Sequence, residues 1–97
     1  MVLELLKFGE DLHGRPEGKE AYDSIAPRFV EITGAEDVFV DFKGIHSVST
    51  SWLDEFLSAL QKKFGEHLFL RNVTNSSAKL SLDTLEEIGG RNFQREF

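Results

Sequence analysis

Residues 37–65 read DVFVDFKGIHSVSTSWLDEFLSALQKKFG, and this stretch decides the fold. Val38, Phe39, Val40 and Phe42 form a nearly continuous apolar run. It predicts a strand over residues 37–43 of the kind covered on both faces, in a sheet with helices around it. The loop GIHSVSTS follows. Trp52, Leu53, Phe56, Leu57, Leu60 and Phe64 then share one stripe, so the next element is an amphipathic helix ending at Gly65. Asp54 and Glu55 fall in its first turn, and Lys62 and Lys63 in its last, as the helix dipole favours.

On the N-terminal side, VLELLKF (residues 2–8) reads as a strand with imperfect alternation, and GEDLHG (9–14) as loop. Pro16 sits where a helix accepts its first proline. Ala21, Tyr22, Ile25, Ala26, Phe29 and Val30 make the apolar face of that helix, Pro27 interrupts it, and Gly34 closes it. On the C-terminal side, HLFLRNV (67–73) is a third strand. Asn75, Ser76 or Ser77 caps a third helix with Ala78, Leu82, Leu85 and Ile88 inward, stopped by Gly89–Gly90. The tail holds Phe93 and Phe97 without a clear period and either docks or stays loose. The order β-α-β-α-β-α predicts one small α/β domain, with a mixed or parallel sheet flanked by helices.

Ninety-seven residues make one domain, and no internal repeat or linker divides them. The absence of cysteine excludes disulfides and thiolate chemistry. No apolar run approaches the ~20 residues of a membrane span, and MVLELLKFGED lacks the features of a secretory signal. The chain therefore reads as a soluble cytoplasmic protein. Its net charge of −6 is concentrated in residues 1–50, which carry 10 acidic and 5 basic side chains. Such a surface repels nucleic acid and anionic membrane, and together with a covered sheet it suits a monomer.

Ser47-Val48-Ser49-Thr50-Ser51 lies between the buried strand and the central helix, where open α/β sheets build their sites. One hydroxyl there is a helix cap, either Ser49, Thr50 or Ser51 with Asp54 completing a capping box. The others are candidate functional groups beside the unpaired amides of a helix N-terminus, which favour an anion. Asp41 breaks the apolar strand and needs donors, which the serine-rich loop is placed to supply, so it reads as a brace for that loop. His13, His46 and His67 lack metal-ligand spacing and read as surface or capping residues. A Ser49–His46–Asp41 assembly has no nucleophile-elbow pattern around it, and the glycines form no phosphate loop. No metal or cofactor is expected, and a binding or regulatory module is preferred to an enzyme.

Gly9-Glu10-Asp11-Leu12 with Arg15, Pro16 and Gly18, Val40-Asp41-Phe42-Lys43-Gly44-Ile45, the run His46–Phe56, and Asn72-Val73 together resemble the STAS-like family. The likeness covers roughly residues 3–88 and is greatest to a divergent bacterial group of undefined function, similar to anti-sigma factor antagonists. The resemblance implies a regulatory protein-interaction domain. Its partner would be a histidine-kinase-like ATPase or another anti-sigma-type regulator, and phosphorylation of a hydroxyl at the start of the central helix would break the complex. The family's Asp-Ser-Ser-Gly-Leu motif falls on Ser49-Thr50-Ser51-Trp52-Leu53. Thr50 takes the acceptor position with Ser51 and Ser49 beside it, while Ser49 replaces the motif's aspartate and Trp52 its glycine. The implied partner surface comprises Ser47, Ser49, Thr50, Ser51, Trp52, Asp54 and Glu55, with Asp41 in support. A second class of function is sensing of a nucleotide or other anion beside the same helix N-terminus.

Overall fold

A computed structural model describes residues 1–32, 35–90 and 92–96. The elements run β1 (Val2–Glu4), β2 (Asp11–Leu12), α1 (Arg15–Ile25), β3 (Val38–Asp41), β4 (Ser47–Val48), α2 (Thr50–Phe64), β5 (Leu68–Arg71), α3 (Ser76–Gly89) and β6 (Gln94–Arg95). The main sheet has the order β1-β3-β5-β6 and is parallel throughout. The register is Val2↔Phe39↔Phe69↔Gln94. Beyond it, β2 and β4 form a separate parallel ribbon that pairs Asp11 with Ser47 and Leu12 with Val48.

Because the sheet order follows the chain order, right-handed crossovers place α1, α2 and α3 on one face. Burial agrees. Val38, Val40, Leu68 and Leu70 are buried against the helices, while their alternates Phe39, Asp41, Phe69 and Arg71 are half-buried. The apolar run of β3 is therefore not covered by helices on both faces. On its second face, Phe39 stacks on Phe69 at 5.6 Å between ring centres, and the Arg71 guanidinium lies 4.4 Å above the Phe39 ring. Two neighbouring rings and a cation cover what a second helical layer would have covered.

The helical layer is centred on α2. Trp52, Leu53, Phe56, Leu57 and Leu60 are buried as the stripe requires. Trp52 stacks on Phe56 at 4.8 Å, and Phe8 meets Phe56 edge-on at 5.6 Å. Phe8 reaches this cluster because the expected strand 2–8 stops at Glu4 and becomes a 3-10 turn over Leu5–Phe8. Side chains three apart eclipse in such a turn, so Leu5 and Phe8 both point inward.

Two further positions depart from the expected stripes. Helix α1 ends at Ile25 and tightens into a 3-10 segment over Ala26–Glu31 at Pro27. Phe29 stays buried while Val30 turns out, 87% exposed. Gly34, the expected stop, lies outside the described residues. In α3, Ala78, Leu82 and Leu85 are buried, but Ile88 is 77% exposed. At about 100° per residue Ile88 sits roughly 80° from Ala78 around the helix, off the stripe. The tail docks: β6 pairs with β5, Phe93 is buried, and Glu86 accepts from Phe93 N and Arg95 Nη2, both at 2.8 Å. Phe97 lies outside the described residues.

Helices α1 and α2 touch at Gly18. A β-carbon there would stand 2.5 Å from the Trp52 carbonyl oxygen and 3.0 Å from Trp52 Cα, both backbone atoms that cannot move aside alone. Gly18→Ala is expected to destabilise the domain by about 1–3 kcal/mol, as overpacked sites do. Urea unfolding would show a lower midpoint with an unchanged m-value.

Candidate functional site

The parallel strands β1 and β3 deliver their chain ends to the same edge of the molecule, and the β2–β4 ribbon grows from that edge. The backbone amides of His46 and Ser47 donate to Glu10 O at 2.8 and 3.2 Å, and Ser49 N donates to Leu12 O at 2.8 Å. The start of α3 braces the other side. Asn75 Nδ2 donates to His46 O (2.8 Å) and Ser81 Oγ to Val48 O (2.6 Å), while Val48 N donates to Ser77 Oγ (3.2 Å). Residues expected to be open loop on both sides are thus fixed, and so is the first turn of α2.

Ser49 is the cap. Its Oγ accepts from Trp52 N at 3.1 Å and from Gly14 N at 3.3 Å. Gly14 precedes α1 and has φ +90°, a conformation that suits glycine. One hydroxyl oxygen therefore serves the amides that open two helices, so Ser49 holds structure. Thr50 and Ser51 are the first two residues of α2. Thr50 is half-buried, Ser51 is exposed, and neither hydroxyl has a hydrogen-bond partner among the described residues. With Ser49 as cap, Asp54 and Glu55 lie in the second turn and not in the first as expected. There Arg15 Nη1 bridges them, at 2.7 Å to Asp54 Oδ2 and 3.0 Å to Glu55 Oε1.

Trp52, expected at the rim of the surface, is 2% exposed, because its ring is needed in the Phe8–Phe56 cluster. Asp41 is also placed differently. Its Oδ1 accepts from Lys43 N at 3.0 Å and from Asn72 Nδ2 at 2.8 Å. It braces its own turn and the exit of β5, not the serine-rich loop. Asn72 has φ +58°, a left-handed conformation that asparagine tolerates better than most residues. Serine and asparagine side chains near the start of α3 supply the loop's support.

A polar chain across the ribbon was not legible in the sequence. Ser47 Oγ donates to Asp11 Oδ1 at 2.6 Å, His46 Nδ1 lies 2.9 Å from the same oxygen, and His13 Nε2 lies 2.8 Å from Ser47 Oγ. Since the Ser47 proton is given to Asp11, His13 must donate to the serine oxygen. That order differs from a nucleophilic triad, in which histidine stands between serine and carboxylate. The contact arises because β2 pairs with β4, and two-residue strands leave almost no periodicity to detect. Among the described residues no cluster of His, Cys, Asp and Glu could hold a metal ion, and no helix is long and apolar enough to cross a membrane.

Comparison with known proteins adds the family. A family model described as a STAS-like domain of unknown function (DUF4325) matches residues 17–89. No curated protein and no solved structure matches the chain.

Two titrations set the pH window of the ribbon clip. His46 is raised above its ordinary pKa, first by the hydrogen bond to Asp11 and then by the Asp11 charge. That stabilisation is complete below the ordinary histidine value of about 6.5 and is lost as pH rises through the raised value. Asp11 is lowered, first by the Ser47 hydroxyl and then by His46. Its contribution holds above the ordinary aspartate value of about 3.9 and is lost as pH falls through the lowered one. The clip is therefore complete between about pH 4 and 6.5. The gap in thermal midpoint between wild type and Asp11→Asn is expected to peak in that window and to narrow on either side. A gap independent of pH would show that the pair does not couple to folding. Separately, Ser49→Ala should cost about 1–2 kcal/mol as a lost cap, against less than about 0.5 for Thr50→Ala or Ser51→Ala, read by urea denaturation.

Proposed function

We propose, from the premise that this chain belongs to the STAS-like domain family of unknown function, that it is a regulatory protein-interaction module resembling an anti-sigma factor antagonist. The partner is a histidine-kinase-like ATPase or another anti-sigma-type regulator, met in the cytoplasm through the ribbon and the first turns of α2, around residues 47–56. The module has no catalytic activity of its own and acts as a monomer. The observation that carries this reading is the pair Thr50 and Ser51. Among the described residues their hydroxyls have no partner, and they sit in the first turn of a helix whose cap, Ser49, is tied to a second helix. A group held this way is presented without being needed for the fold.

Phosphorylation at Thr50 or Ser51 is the switch. It adds about −1.5 to −2 charge beside helix amides that stabilise it and within reach of the acidic pair Asp54 and Glu55. Arg15, now bridging that pair, is the neighbouring cation able to respond. Thr50 matches the family's acceptor position and Ser51 is the more exposed. The alternative of an anion sensor draws no support from the groove beside this turn, which is lined by Asp11, Glu17 and Glu20.

The test is phosphate transfer from candidate ATPase-type kinases of the same organism to wild type, Thr50→Ala, Ser51→Ala and the double variant. Loss of labelling in one single variant, with its unfolding midpoint unchanged, is the expected result. The matching glutamate substitution should then weaken the complex at least about tenfold, equivalent to ~1.4 kcal/mol. Undiminished labelling of the double variant, or an unaltered complex with both glutamate variants, would sink the switch.

A further inference from the structure

A groove of about 480 Å³ runs between α1 and the segment Phe8–His13. One wall is a single stripe of α1: Glu17, Glu20, Ala21 and Ser24, spaced i, i+3, i+4, i+7. The other carries Phe8, Leu12 and Asp11, and Trp52 lies at the floor. Among the described residues no lysine or arginine lines it, and His13, the one histidine there, is held by Ser47 Oγ at 2.8 Å. The two cations on α1 are committed elsewhere, Arg15 to Asp54 and Glu55, and Lys19 to Asp23 at 2.9 Å. Among the described residues Glu17 and Glu20 have no ion-pair partner. The groove therefore joins an apolar floor to a rim formed by the carboxylates of Glu17 and Glu20, whose charge no cation among the described residues offsets.

We infer that this groove docks an extended basic segment of a partner protein, with arginine or lysine side chains meeting Glu17 and Glu20 and an apolar side chain between them against Phe8. Charge complementarity selects this occupant. The rim repels phosphate backbones and anionic headgroups, and it repels a second copy of a chain with net charge −6. The half-buried Phe8 ring gives a bound segment apolar surface to cover, while Leu12, Ala21 and Trp52 beneath it are already buried. The groove opens beside the ribbon, so the inference rests on the reading that this end of the molecule meets a protein, and it names the chemistry of what is met. One wall lies in residues 8–13, outside the span matched by the family.

Trp52 is the only tryptophan in the chain and lines the groove, so its emission reports occupancy. The probe is an acetylated, amidated hexapeptide alternating arginine and leucine, with the glutamate–leucine analogue as control. Titration of the arginine peptide should shift Trp52 emission and move the amide resonances of Phe8, Leu12, Ala21 and Ser24. The glutamate analogue should do neither. Glu17→Gln/Glu20→Gln should weaken binding at least tenfold. Glu66→Gln/Glu87→Gln, which removes equal charge elsewhere on the surface, should change it less than twofold. Glu20→Gln alone provides an intermediate should the double variant fold poorly. Equal losses in the two double variants, resonance shifts away from the groove, or equal binding of both peptides would overturn the inference. Failure of the phosphorylation switch is scored separately. Peptide binding without labelling of Thr50 or Ser51 keeps the groove and discards the switch; labelling without peptide binding does the reverse.

Discussion

Helix α1 meets α2 with nothing between Gly18 and the Trp52 backbone but hydrogen, and most of the molecule's geometry hangs on that approach. It brings the residue before α1, Gly14, within reach of the Ser49 hydroxyl that caps α2. It fixes the first turn of α2 against a second helix, so Thr50 and Ser51 are presented on a backbone held from two sides. It also places Arg15 over Asp54 and Glu55, and it seats Trp52 under Phe8. Larger side chains at position 18 would push all of these apart together.

The molecule separates support from presentation by burial. Among the described residues the core contains no polar side chain, so every polar group at the ribbon end is half-buried or exposed and must be positioned by hydrogen bonds. Asp11, Ser47 and two histidines clip the ribbon, and residues at the start of α3 hold its far side. The oxygens of Ser47 and Ser49 are occupied by these tasks, whereas those of Thr50 and Ser51 have no partner among the described residues. A run of five residues rich in hydroxyls thus divides into distinct roles that composition alone does not distinguish.

The sequence made the long elements legible because their periods are strong. The stripe from Trp52 to Leu60 and the run from Val38 to Phe42 found α2 and β3, and the alternation of strands and helices implied the parallel sheet. Positions at the margins were misread for geometric reasons: a proline tightened the chain and turned Val30 outward, and Ile88 fell off its stripe by rotation. At the site, the serine run and its capping role were readable. The Asp41–Asn72 and Asp11–Ser47–His46 contacts were not, since they depend on pairing between segments about 30 residues apart or more. The burial of Trp52 was likewise set by Phe8, whose inward direction came from an unforeseen 3-10 turn.

A sheet with helices on only one face has a single interlayer core, and on the other side only half-buried side chains such as Phe39, Phe69 and Arg71 stand between its backbone and solvent. Val38, Val40, Leu68 and Leu70 share one core cluster with the buried residues of all three helices, so freeing the amides of β3 and β5 requires opening that single layer. The borders differ. At one edge β6 is two residues long, and at the other β1 is three, so either can fray at little cost. Such a molecule has one cooperative unit with two loose margins. The carboxylate clip on β2 belongs to neither margin, because the ribbon is fastened to the helical layer through Ser49 and the start of α3.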